Sequence, residues 1–143
     1  MGQNIPKMPI SQRCNNKVFI YGSLKKGGCE RGLQESKQCK LLGTAITTQS
    51  NFDLFDLGKF PTITLNGKYK IQGEMWSVTK DKLRELDKIE GYPSFYTKTM
   101  VETNLGEAET YLLTDKSWDS CNVNKETWKV QEKDRGIVQW LVL

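Results

Sequence analysis

The chain has 143 residues, 37% of them hydrophobic and 27% charged, with a formal net charge of +4. That is enough chain for one domain with a sizeable core, and no apolar run reaches the ~18 residues needed to span a membrane. The composition contains no histidine, which excludes Ser-His, Cys-His and His-metal chemistry and leaves acid–base work to a carboxylate, tyrosine, lysine or thiol.

Residues 1–16 are polar, carry no apolar centre of the signal-peptide kind and read as a flexible arm, so the expected compartment is the cytoplasm. Cys14, Cys29, Cys39 and Cys121 are scattered without a CxxC pair and read as free thiols, not as a disulfide or zinc framework. The lysines are spread along the chain, so neither a nucleic-acid stripe nor a membrane surface is expected.

Order is expected from Lys17. Val18 to Tyr21 form an unbroken apolar run, the pattern of a strand buried on both faces, and Gly22-Ser23 end it. The stretch GSLKKG matches the first half of a phosphate loop, but Gly28 and Cys29 stand where Lys and Ser/Thr are required, which argues against nucleotide binding. Two readings of this loop stand: a plain strand-to-loop turn, or a set of backbone N–H groups left free to hold a ligand.

Extended segments follow at Leu41 to Thr48 and at NFDLFDL, where Phe52, Leu54 and Asp56 share one face. Asn66-Gly67 between two alternating segments predicts a two-residue hairpin, and the segments flanking Asn104 to Glu107 predict another. The pattern is that of a mostly antiparallel sheet with one good helix.

That helix lies in SVTKDKLRELDKIEGYP. Thr79 is placed as N-cap, Val78 and Leu83 as a hydrophobic staple, Gly91 as the terminator, and Pro93 bars resumption. Leu83, Leu86 and Ile89 mark the packing face, and at about 100° per residue Glu90 projects between Leu83 and Leu86. Partial burial and the negative end of the helix dipole would both raise the pKa of a carboxylate there, which suits a group that takes a proton and returns it near neutral pH. The alternative is a frayed last turn with Glu90 in solvent or paired with a lysine, and on periodicity alone that inert reading has the better claim. Asp87, one turn earlier, reaches the same side and serves as the internal control.

Taken together, VFIYGSLKKG, LLGTAITTQSNFDLFDLGKFP, IQGEMWSV and LRELDKIEGYPSFY, in that order, resemble the γ-glutamylcyclotransferase-like family, in particular its γ-glutamylamine cyclotransferase branch. The resemblance covers roughly residues 17 to 114. It implies an α+β fold, a small mixed and mostly antiparallel β-barrel with flanking helices. It also implies that Tyr21, Gly22, Ser23 and Leu24 bind the glutamyl moiety, largely through backbone groups, and that Glu90 is the catalytic acid–base, with no metal and no cofactor. The chain departs from the pattern at GGCERGL, where many relatives have Pro-Asn-His, so the preferred leaving amine is not carried over.

The implied domain organisation is an arm at 1–16, the family domain at 17–116 and a C-terminal extension at 117–143 packed on or continuing it. The implied reaction converts a small-molecule γ-glutamyl amine or γ-glutamyl amino acid to 5-oxoproline and a free amine, with no hydrolytic water. The competing class is a non-catalytic ligand-binding protein that keeps the same cavity. An intact Glu90 beside an intact YGSL loop favours the enzyme, and release of 5-oxoproline separates the two.

Overall fold

The computed structural model describes residues 13–22, 25, 33–56, 61–120, 131–134 and 136–139. In chain order these form β1 (Asn16–Ile20), β2 (Cys39–Ile46), β3 (Phe52–Asp56), β4 (Pro61–Val78), α1 (Lys80–Ile89), β5 (Tyr96–Thr103), β6 (Gly106–Leu113), α2 (Asp115–Ser120), β7 (Gln131–Asp134) and β8 (Ile137–Gln139). Among the described residues no helix is long and apolar enough to cross a membrane.

The sheet is organised around β4, whose 18 residues pair with β3 near its start, with β8 in its middle, and with β1 and β2 on opposite edges of its second half. β1 in turn lies between β4 and β6, antiparallel to the first and parallel to the second. A strand enclosed in this way has no solvent face, which accounts for the uninterrupted apolar run Val18 to Tyr21. Alternation then sorts its side chains. Val18 and Ile20 join Trp76, Val78, Leu86, Tyr96 and Tyr111 in one buried cluster, whereas Phe19 and Tyr21 join Leu54, Ile63, Ile71 and Met75 in another.

The expected mixed, mostly antiparallel sheet with few helices is present, but it is not a closed barrel. The strand path runs β5-β6-β1-β4-β8-β7, and β2 and β3 branch from β4. A single bridge, Thr47 to Thr103, ties the end of β2 to the end of β5.

Two local expectations are corrected. Asn66-Gly67 is not a hairpin turn, because β4 continues through it as one strand. The β3 register jumps there, from Asp53 opposite Thr64 to Phe52 opposite Tyr69, so residues 65–68 form a bulge. Gly67 is required by contact: its N–H bonds the Asn51 carbonyl at 3.0 Å, and an added Cβ would fall 2.1 Å from the backbone carbon of Phe52. In α1, Leu86 is fully buried and Leu83 packs against the same cluster, but Ile89 is 39% exposed. It lies about 60° beyond Leu86 on the helical projection, at the edge of the packing face. The second hairpin forms as expected, with its loop narrowed to Asn104-Leu105 and Gly106 at φ 107°.

Candidate active site

The end of α1 is fixed by local sequence. At its start the Thr79 hydroxyl accepts from the Lys82 N–H at 3.1 Å, so the helix is capped as expected. At its finish the Gly91 N–H bonds the Lys88 carbonyl at 3.1 Å and the Tyr92 N–H bonds the Asp87 carbonyl at 2.8 Å. With Gly91 at φ 65° this pair of bonds is a Schellman closure. Glu90 is the C-cap residue, its own N–H on the Leu86 carbonyl at 2.9 Å. The helix end is therefore closed, and Glu90 is half-buried there.

Two tyrosines contributed by other elements, Tyr21 and Tyr111, lie within electrostatic reach of Glu90. Tyr21, at the end of β1, is 5% exposed. Its hydroxyl donates to the Tyr111 carbonyl and accepts from the Ile63 N–H at 3.3 Å. Burial, and next the negative charge of Glu90, push the Tyr21 phenol well above its ordinary pKa, while the hydrogen bonds it accepts at Ile63 and Thr62 pull the other way. Tyr111, on β6, is raised likewise: first by burial, then by its hydrogen bond to Asp87 and that group's charge, then by the charges of Glu90 and Glu109. Glu90 thus interacts electrostatically with both phenols, and both remain neutral donors at ordinary pH. Tyr96, on β5, donates to the Pro61 carbonyl at 2.8 Å.

Of the glutamyl-loop residues expected from the sequence, Tyr21 and Gly22 are placed, and Ser23 and Leu24 lie outside the described residues. Gly22 packs under the Pro61 ring: an added Cβ would sit 2.8 Å from Pro61 Cγ. Its carbonyl accepts from the Lys25 N–H at 3.0 Å. Burial lowers the pKa of the Lys25 ammonium, and Glu74 on β4 opposes that effect. Tyr21, distant from Glu90 in sequence, thus lies within electrostatic reach of its carboxylate.

Asp87 is not a silent neighbour of Glu90. Its carboxylate accepts the Tyr111 hydroxyl at 2.6 Å and pairs with Lys98 Nζ at 3.1 Å. Lys98 also reaches Glu109 at 3.4 Å and lies 4.4 Å from the centroid of the Tyr92 ring. The sequence reading missed Lys98, Tyr111 and Glu109. The signal that could have found them is the hairpin register, which sets Lys98 opposite Tyr111. A surface depression lined by Thr48, Gln49, Phe52, Met100, Glu102 and Glu107, among others, shares no residue with this group.

A family model described as "Gamma-glutamyl cyclotransferase, AIG2-like" matches residues 18–130. A Vibrio cholerae protein provisionally named gamma-glutamylcyclotransferase is 33% identical over 95 residues, covering 66% of this chain and 79% of that one. The Escherichia coli gamma-glutamylcyclotransferase family protein YtfP is 28% identical over 97 residues, covering 67% of this chain and 80% of its own. Its solution structure superposes with a TM-score of 0.51 over 68% of this chain and 82% of that one, at 27% identity. The crystal structure of an AIG2-like protein from Mus musculus superposes with a TM-score of 0.55, covering 79% of this chain and 88% of that one at 23% identity, and shows a shared fold.

Proposed function

Because this chain belongs to the gamma-glutamyl cyclotransferase, AIG2-like family, we propose that it cyclises a γ-glutamyl amine or γ-glutamyl amino acid to 5-oxoproline, with Glu90 as acid–base and the Tyr21-Gly22-Ser23-Leu24 loop holding the glutamyl group. The observation that carries this reading is that Glu90, on its closed helix cap, lies within electrostatic reach of Tyr21, the residue that leads into that loop. The substrate contains its own nucleophile, so a folded pose places amine and acyl carbon within reach and supplies the effective concentration.

Glu90 takes a proton from the α-ammonium group, and the freed amine attacks the γ-carbonyl carbon. The bond from that carbon to the leaving nitrogen breaks as the ring C–N bond forms. Of the three protons on the α-ammonium, one stays on the lactam nitrogen and two depart with the leaving amine, which is released as an ammonium. Backbone N–H groups of the loop anchor the glutamyl carboxylate or face the oxygen on which negative charge develops. Tyr21, its hydroxyl committed to Tyr111 and Ile63, braces the loop instead of contacting substrate through its phenol.

The test is release of 5-oxoproline from a panel of γ-glutamyl amines and γ-glutamyl amino acids, run on the native chain and on Glu90→Gln. The variant keeps side-chain shape and loses proton transfer, so turnover should fall by about 10²–10⁴-fold with substrate binding partly retained. Normal turnover in Glu90→Gln would reject the assignment. Binding of γ-glutamyl compounds without 5-oxoproline from any of them would make the protein a ligand-binding member of the fold.

A further inference from the structure

Lys98 straddles the helix terminus that carries Glu90. On one side it pairs with Asp87, three residues before Glu90, and on the other it lies over the ring of Tyr92, two residues after it. Its other carboxylate partner, Glu109, comes from β6. Asp87 in turn holds the Tyr111 hydroxyl at 2.6 Å, and the Tyr111 carbonyl accepts the Tyr21 hydroxyl. Three elements, α1, β5 and β6, are thus joined to the end of β1 by one continuous set of polar contacts. The side chains of Lys98 and Asp87 are only 15% and 22% exposed, so the pair is shielded from solvent, and removing either partner strands a poorly hydrated charge.

We infer that the Asp87–Lys98 ion pair is the positioning device of the Glu90 site, holding the Tyr111 side chain and, through the Tyr111 carbonyl, the Tyr21 hydroxyl at the base of the Gly22 loop. Neither residue touches substrate. Asp87 acts by accepting the phenol, and Lys98 acts by holding the Asp87 carboxylate in place and by clamping the turn after Glu90 against β5. The surface pairs on the same helix, Asp81 with Arg84 and Lys82 with Glu85, have no such connection. This inference rests on the acid–base reading of Glu90.

A double-mutant cycle on turnover tests it, with Asp87→Ala, Tyr111→Phe, the double variant and Glu90→Gln assayed together, and folded fraction measured by circular dichroism. Each single variant should lose roughly tenfold in kcat with KM within about twofold, and the double should be no worse than the poorer single, because residues acting as a unit are non-additive. Lys98→Met should lose a similar factor, and Lys98→Arg should restore most of it. A merely structural role would lower folded fraction and leave kcat per folded molecule unchanged. That result, or losses that multiply in the double variant, would overturn the inference while a dead Glu90→Gln upheld the acid–base reading. Full turnover in Glu90→Gln would overturn both. Should Asp87→Ala fail to fold, Lys98→Met takes its place in the cycle with Tyr111→Phe, with the same non-additivity expected.

Discussion

At Gly22 a side chain is excluded by contact and not by backbone conformation. The glycine is absent from those with left-handed φ, and what it accommodates is the Pro61 ring, whose Cγ and Cδ would lie 2.8 and 2.9 Å from an added Cβ. Pro61 cannot yield freely, because its carbonyl holds the buried Tyr96 hydroxyl. Gly22→Val must therefore push the loop off Pro61 and crowd the N–H groups beyond it. Overpacking of this kind costs about 1–3 kcal/mol, visible as a lowered urea midpoint. The KM for a γ-glutamyl substrate, measured per folded molecule, should rise by about tenfold or more. A folded Gly22→Val with native KM would remove the loop from the site. The partner that requires a glycine here lies 39 residues away, so no local pattern in the sequence shows the contact.

The helix that presents Glu90 is the element most plainly written in the sequence, since its stop and start signals are local. Thr79 caps it, Gly91 ends it, and each works through bonds within six residues. Leu86 anchors it on the sheet, being fully buried, whereas Ile89 at the edge of the packing face is not. Leu86→Ala should cost about 2–5 kcal/mol and Thr79→Ala about 1 kcal/mol, with Ile89→Ala below both in the same denaturant titration. A loss at Ile89 equal to that at Leu86 would mean the helix packs in a different rotation, and Glu90 would then not face Tyr21. Registers were harder to read. A four-residue loop over Asn104 to Glu107 would have set Lys98 opposite Leu113, whereas the two-residue loop sets it opposite Tyr111. That difference decides whether the ion pair beneath Glu90 can be seen. Asn66-Gly67 carries the right chemistry for a hairpin, but the pairing of β3 on both sides of it absorbs the turn into a bulge.

Across the whole molecule, the connections that sequence periodicity could not supply are the parallel contacts, β1 with β6 and β4 with β8, because no turn signal joins such strands. They close the space in which Tyr21 and Tyr111 are buried, and that burial has a consequence for stability against pH. Both phenols have pKa values raised above the ordinary 10.0, first by burial, and Lys98 is raised above 10.5 because Asp87 and Glu109 outweigh its desolvation. A group with a raised pKa in the folded state binds more protons folded than unfolded, so all three contribute stability that is complete below about pH 10 and declines as pH rises beyond it. Lys25, lowered by burial, works in the opposite sense, and among the described residues it is one group against these three. The melting temperature should therefore fall steeply above about pH 10, and the loss should be smaller in Tyr111→Phe, which has one such phenol fewer. Phenolate absorbance supplies the direct readout. Of the five tyrosines in the chain, Tyr21 and Tyr111 should stay un-ionised at about pH 11 until the protein unfolds, then titrate together with the loss of ellipticity. Smooth ionisation of all five rings in the folded protein would contradict the burial of this pair and the hydrogen bonds that join Asp87, Tyr111 and Tyr21.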